Sequence, residues 1–180
     1  RTIFLFFIIF SIFIQKHAYT EPKIIKKISE IKNFTFDFEQ LINNKKETGN
    51  CIISFNNKMV CKYDITGKII VSNGKTLLIK NKNSNFANTY KTENTYFKYF
   101  LNKEFLISKI KGNIVEKKQN FLLSINDQNN QLNIFFDKKN HLIKGWETID
   151  LYGNKVRSNI VVKGINQELS DSMFSLNLYN

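Results

Sequence analysis

Ile69-Ile70-Val71-Ser72-Asn73-Gly74-Lys75-Thr76-Leu77-Leu78-Ile79 decides the fold class. Asn-Gly is the pair that two-residue hairpin turns favour, because both central positions need positive φ and these residues tolerate it best. A short run of aliphatic and β-branched residues stands on either side, bounded by turn formers. The stretch predicts two antiparallel strands joined by a tight turn.

The same pattern extends towards the N-terminus. Cys51–Phe55 and Met59–Tyr63 flank Asn56-Asn57-Lys58, a second hairpin by turn chemistry. Before them Phe34, Phe36, Phe38 and Gln40 alternate with Thr35, Asp37, Glu39 and Leu41, the period of a strand with unlike faces. Towards the C-terminus, strands are expected at about 113–118, 121–126, 131–137, 142–150 and 155–163. Turns are expected at Asn129-Asn130, Lys139-Asn140 and Tyr152-Gly153-Asn154. The tail, 171–176, reads as a turn and a last short strand. Two segments have helical spacing instead. Pro22 opens one over 22–32, with Ile24, Ile28 and Ile31 on one face. The other spans 93–103, with Tyr96, Phe97, Phe100 and Leu101 on its apolar face. About ten locally connected strands and two or three helices make a mainly β (α+β) domain: a curled antiparallel sheet with helices on one face.

The chain has 180 residues, 42% of them hydrophobic, and 17 are Phe. That suffices for one domain with a sizeable core. Arg1, the apolar run Ile3–Ile14 and the small residues near Ala18 and Thr20 read as a secretory signal. The run is short of the roughly 20 residues that cross a bilayer. Residues 1–20 are therefore expected to be a cleaved signal peptide and 21–180 the mature domain, exported from the cytoplasm.

The formal charge is +12. Without Arg1 and Lys16, 25 basic residues face 15 acidic ones, or +10. Nearly all are Lys in scattered pairs, and Arg157 is the single mature Arg, so the pattern lacks the Arg forks that read phosphates and bases. A solvated surface is expected and no nucleic acid. Catalytic motifs are missing as well: no glycine-rich phosphate loop, no G-x-S-x-G and no H-E-x-x-H. His141 is the only mature histidine. Neither an enzyme, a cofactor nor a metal site is expected.

Two cysteines, Cys51 and Cys61, fall on facing strands of the second hairpin. If both sit on the more apolar face they come within bonding range, and an oxidising compartment permits a disulfide. Two buried free thiols are the other outcome. A larger question concerns the apolar faces of sheet and helices. They either pack into an ordinary core or line a cavity. Two short helices are too little to fill a half-barrel, so Phe36, Phe38, Tyr63, Leu77, Phe97, Phe100 and Trp146 are expected to line a lipid-binding cavity.

The order of these elements resembles the LolA family of periplasmic lipoprotein carriers, from about Phe34 to Leu176. Phe36-x-Phe38-x-Gln40 is similar to the family's opening strand. Gly49 with Lys58–Tyr63 resembles its second and third strands, and Ile70–Ile79 the hairpin it builds around Ser-Asp-Gly-Lys. Tyr96–Leu101 takes the place of its central helix, Trp146-x-x-x-Asp150-x-x-Gly153 that of its late hairpin, and Met173-Phe174 that of its closing strand. The chain departs where members carry Arg-Pro near the second turn and an Arg, tied to the lid, in the next strand. Phe55-Asn56 and Val60 stand there.

The resemblance implies an open half-barrel capped by helices, whose concave face sheathes the acyl chains of lipoproteins in the periplasm. It implies as partners acylated lipoproteins, an inner-membrane lipoprotein-releasing transporter and an outer-membrane acceptor, with the carrier a monomer. Two other classes fit the same residues. One is an envelope sensor or regulator domain that binds lipid or lipoprotein on this half-barrel. The other is a ligand-free structural protein of the envelope.

Overall fold

The computed structural model describes residues 20–127, 130–150 and 153–179. Residues 1–19 of the signal peptide expected over 1–20, and parts of the turns expected at 129–130 and 152–154, lie outside them.

Eleven strands form one antiparallel sheet: β1 (Asn33–Ile42), β2 (Lys45–Ser54), β3 (Lys58–Tyr63), β4 (Ile69–Asn73), β5 (Thr76–Lys80), β6 (Asn88–Lys91), β7 (Ile114–Glu116), β8 (Phe121–Asp127), β9 (Asn130–Phe136), β10 (Ile143–Ile149) and β11 (Lys155–Ile165). Their order is β6-β5-β4-β3-β2-β1-β11-β10-β9-β8-β7, so the sheet is not closed. The first and last strands meet in its middle. From there the chain meanders to one edge, crosses over, and meanders back from the other. Both edges are blunted by short strands.

Helices take the concave side. Helix α1 (Thr20–Glu30) buries Ile24 and Ile28. The crossing from β6 to β7 carries a 3-10 turn (Thr92–Asn94), α2 (Phe97–Leu101) and α3 (Lys103–Ile110). It forms a strap that ties the sheet's two edges together. Irregular register at Thr35/Phe36 on β1 and at Ile143/Gly145 on β10 adds bend and twist to strands near the centre.

The expected half-barrel is present, with three differences of detail. The first is an eleventh strand, β6. The second lies in the strap, where one helix over 93–103 was expected. Asn102 breaks it: its backbone is extended and its Oδ1 accepts from the Phe105 N–H at 2.8 Å, capping a new helix that runs on to Ile110. The third is the tail, which forms two 3-10 turns, Asp171–Phe174 and Leu176–Leu178, rather than a strand. Phe174 packs with Val60 and Val71 in a small second core on the convex face.

Candidate functional site: the concave face beneath the strap

Strand β1 supplies the floor. Phe34, Phe36, Phe38 and Gln40 all point inward and are buried. Period-2 alternation puts them in a line, so the floor runs from aromatic to polar along one strand. On β2 the residue facing Phe38 is Gly49, and Tyr63 of β3 faces Gly49 in turn. A Cβ on Gly49 would collide with the Phe38 ring and the Lys62 carbonyl. Its absence lets the rings of Phe38 and Tyr63 meet edge to face, with centroids 4.8 Å apart.

Cys51 and Cys61 are register partners on the same floor and form a disulfide, with Cα atoms 4.1 Å apart. The strap closes the space from above. Phe100 lies against Trp146 at 4.8 Å, Trp146 meets Phe36 at 6.1 Å, and Tyr96 stacks on Phe97 at 4.2 Å.

Between floor and strap is a cavity of about 20 Å³. Of the seven expected lining residues, Phe36, Phe38, Tyr63, Phe97, Phe100 and Trp146 line it. Leu77 is buried on the same face but does not touch it. Gln40, the disulfide and Tyr96 line it too, and sequence reading had not placed Gln40 or Tyr96 there. A second void of about 10 Å³ lies further along β1, between Phe34, Phe55 and Ile28 and Ile31 of the α1 end. Ligand clefts run to about 300–1,000 Å³, so the interior is filled by its own side chains. Larger hollows, about 660 and 560 Å³, lie where strands β9 to β11 present Asn133, Glu147 and Arg157, or Lys144 and Lys163. They are open grooves of the sheet whose linings mix these polar side chains with aliphatic ones such as Ile149, Val156, Val161 and Ile165.

One end of the cavity is polar. Gln40 donates through Nε2 to Ser158 Oγ at 2.9 Å and accepts from the Tyr63 hydroxyl at 3.2 Å. Lys68 Nζ sits 3.8 Å from the centre of the Tyr63 ring and 3.8 Å from Glu47. Burial raises the Tyr63 phenol well above its usual range, and Glu47 adds to this. Burial does the same to Tyr96, with Tyr63 and Asp150 contributing. Both hydroxyls therefore stay protonated at any physiological pH. Burial lowers the Lys68 ammonium, against the pull of Glu47 and Asp150. Among the described residues no group of His, Cys, Asp and Glu is arranged to hold a metal ion.

Among the described residues the strap is latched without arginine. Asn102 forms an isolated antiparallel bridge to Asn56 in the β2–β3 turn. Lys103 Nζ donates to the Ser29 carbonyl at 3.3 Å and lies 5.6 Å from the Phe55 ring centre. Glu21 of α1 accepts from the Gly112 N–H at 2.8 Å. Val60 faces away, into the convex core, and Lys58 pairs there with Asp171 at 3.1 Å.

No curated protein matches the chain in sequence. Among solved structures, a putative outer membrane lipoprotein-sorting protein domain from Vibrio parahaemolyticus aligns at TM-score 0.51 and 9% identity, over 88% of this chain and 97% of that one. A LolA superfamily protein from Nitrosomonas europaea aligns at 0.44 and 9%, over 86% and 97%. A DUF1329 family protein from Desulfovibrio piger aligns at 0.48 and 7%, over 92% and 98%. The Vibrio structure shares the fold. The family model described as outer membrane lipoprotein carrier protein LolA matches residues 29–177, which takes in the whole sheet, the strap and the tail. The chain belongs to the LolA family.

Proposed function

We propose that this chain is a non-catalytic carrier of the bacterial envelope that sheathes the acyl chains of lipoproteins in transit through the periplasm. It would receive them from an inner-membrane releasing transporter and surrender them to an outer-membrane acceptor. The observation that carries the reading is the strap: an aromatic cover of Tyr96, Phe97 and Phe100 seated on an aromatic floor, fixed at both sheet edges. Acyl chains in water cost about 0.8 kcal/mol per CH₂, so transit demands an apolar sheath. The closed form has no room for one. An acyl chain must therefore replace the strap's aromatics on the floor, apolar surface for apolar surface. Such an exchange needs little net free energy once cargo is present, and cargo then selects the open form.

Phe97→Glu tests this. Phe97 lines the cavity from the strap side and is only partly buried. The charge should weaken uptake of a hydrophobic dye or a diacylated peptide by at least tenfold while leaving the unfolding midpoint within a few degrees. Unchanged uptake per folded molecule would remove the basis of the proposal. The nearly filled interior also suits a ligand-free structural protein of the envelope. Wild-type protein that takes up neither dye nor diacylated peptide would favour that second reading. Export with removal of the signal near Ala18–Thr20 belongs to the same proposal, and intact-mass measurement of periplasmic protein checks it.

A further inference from the structure

Trp146 is the only tryptophan in the chain. It lines the cavity, is 7% exposed, and lies against Phe100 of the strap. Its Nε1–H is buried and has no hydrogen-bond partner among the described residues. Buried indole N–H groups usually find an acceptor, and one left unmet is destabilising. A phenylalanine would supply an aromatic ring here without that penalty.

Its neighbours in the sheet bond with one another instead. Trp146, Ser158 and Gln40 stand in one row across β10, β11 and β1. Gln40 already links Ser158 to the Tyr63 hydroxyl. The row is thus a polar band across the aromatic floor, satisfied at Gln40 and unsatisfied at the indole. An incoming ligand that reaches this band must bring an acceptor and need bring no donor. It must also be neutral. The cation near the band, Lys68, lies beside Glu47, and a buried carboxylate without a partner of its own is costly.

We infer that the Trp146 indole N–H is a subsite for the ester or amide carbonyl at the head of an acyl chain, and that it sets which way the chain lies. The carbonyl rests at the Trp146–Gln40 band. The hydrocarbon runs along β1 over Phe38, Phe36 and Phe34 towards the void beneath Phe55 and Ile31. Displacing Phe100 uncovers the indole, so the ligand's carbonyl finds its donor only after the strap has lifted. The inference rests on the proposed carrier function, because it orients the cargo within that cavity.

Three probes of equal chain length separate the two ideas: methyl palmitate, palmitamide and hexadecane, each competing with a bound hydrophobic dye. The ester and the amide should displace the dye at roughly three- to tenfold lower concentration than the alkane, the worth of one hydrogen bond. They should also shift the emission of Trp146 to the red, as a newly bonded indole does, while hexadecane leaves it unshifted. In Trp146→Phe the preference ratio should fall to about one. Equal displacement by all three with no emission shift overturns the subsite and leaves the carrier reading standing. So does an ester preference that survives in Trp146→Phe. Displacement by none of them overturns both. The wild-type comparison decides the matter even if the variant does not fold.

Discussion

At the β9–β10 turn one carboxylate holds two backbone N–H groups. Asp137 Oδ1 accepts from the backbone N–H groups of Lys139 at 2.8 Å and Asn140 at 3.1 Å, and His141 adopts φ 61°. Those two bonds, Asn140's first and then Lys139's, hold the carboxyl below the usual carboxylate range, with Lys144 and Lys139 helping against slight burial. The folded state therefore binds this proton more weakly than the unfolded chain does. Asp137 contributes stability that is present above the unfolded value, about pH 4, and is lost as pH falls through the lowered folded value. Asp137→Asn keeps an acceptor but cannot titrate. The difference in melting temperature between wild type and variant should be largest near pH 7 and shrink below pH 4. A constant difference across that span would mean that the charge contributes nothing to the turn. Gly49 is a second residue whose identity is fixed by its surroundings. Gly49→Ala must push Phe38 off Tyr63 or move β3, and should cost about 1–3 kcal/mol, read as a lower urea midpoint.

Elements differ in how far the sequence announced them. Strand β1 was legible because one face meets the core and the other meets water, which prints period-2 alternation on the sequence. The β4–β5 hairpin was legible through Asn73-Gly74. The β1–β2 turn was not: Asn43 and Asn44 both take positive φ there, 48° and 65°, without a glycine to announce it, whereas at β4–β5 only Gly74, at 102°, does so. Strand β6, Asn88–Lys91, escaped because an edge strand with no buried residue carries no apolar pattern. Helix α3 escaped because Phe105-Leu106-Ile107 is a short continuous apolar run, which suits a buried strand as well as a helix, and because the cap at Asn102 is also a common turn residue. The site was readable as a set of aromatics. Its polar band was not, because Ser158 and Gln40 become neighbours only through the β1–β11 pairing of chain ends 118 positions apart.

Two element-scale predictions follow from the latch and the disulfide. Asn102→Ala removes the cap on α3 at the point where the strap bridges Asn56. It should cost about 1 kcal/mol and raise amide hydrogen exchange across 97–110 more than in β1 or β11; uniform exchange would show that Asn102 is no latch. The Cys51–Cys61 bond closes a short loop, with a sequence separation of 10. Replacing both cysteines with serine should cost about 2–3 kcal/mol, seen in denaturant unfolding against the oxidised wild type. A midpoint equal to wild type would mean that the hairpin is held by its ladder and turn alone.

For the molecule as a whole, the two faces of the β2–β5 arm decide where a hydrophobic ligand has access. Val71, Leu77 and Leu78 are fully or almost fully buried, and Met59, Val60 and Cys61 are buried in succession. Such unbroken runs mark strands covered on both sides. The strap covers the concave side. The convex side belongs to the tail: Phe174 seats on Val60 and Val71, with Leu169, Met173, Leu176 and Tyr179 around it. Lys58 reaches Asp171 at 3.1 Å, and the Tyr179 hydroxyl donates to the Met173 carbonyl at 3.0 Å. The exposed ion pair alone contributes little, so the anchor is Phe174, at 2% exposure. Without it the arm would offer apolar surface on its outer face as well, and a hydrophobic ligand could bind on the wrong side of the sheet. Phe174→Ala should therefore do two things. It should lower stability by about 3 kcal/mol, the low end for a buried phenylalanine, because this second core is small. It should also create an additional dye site on the outer face, since the concave face is left intact. Titration with a hydrophobic dye reads this directly as the number of dye molecules bound per folded protein. That number should rise by at least one from the wild type to the variant. A variant whose dye stoichiometry, or whose melting temperature, equals that of the wild type would show that the tail is not what keeps the outer face closed.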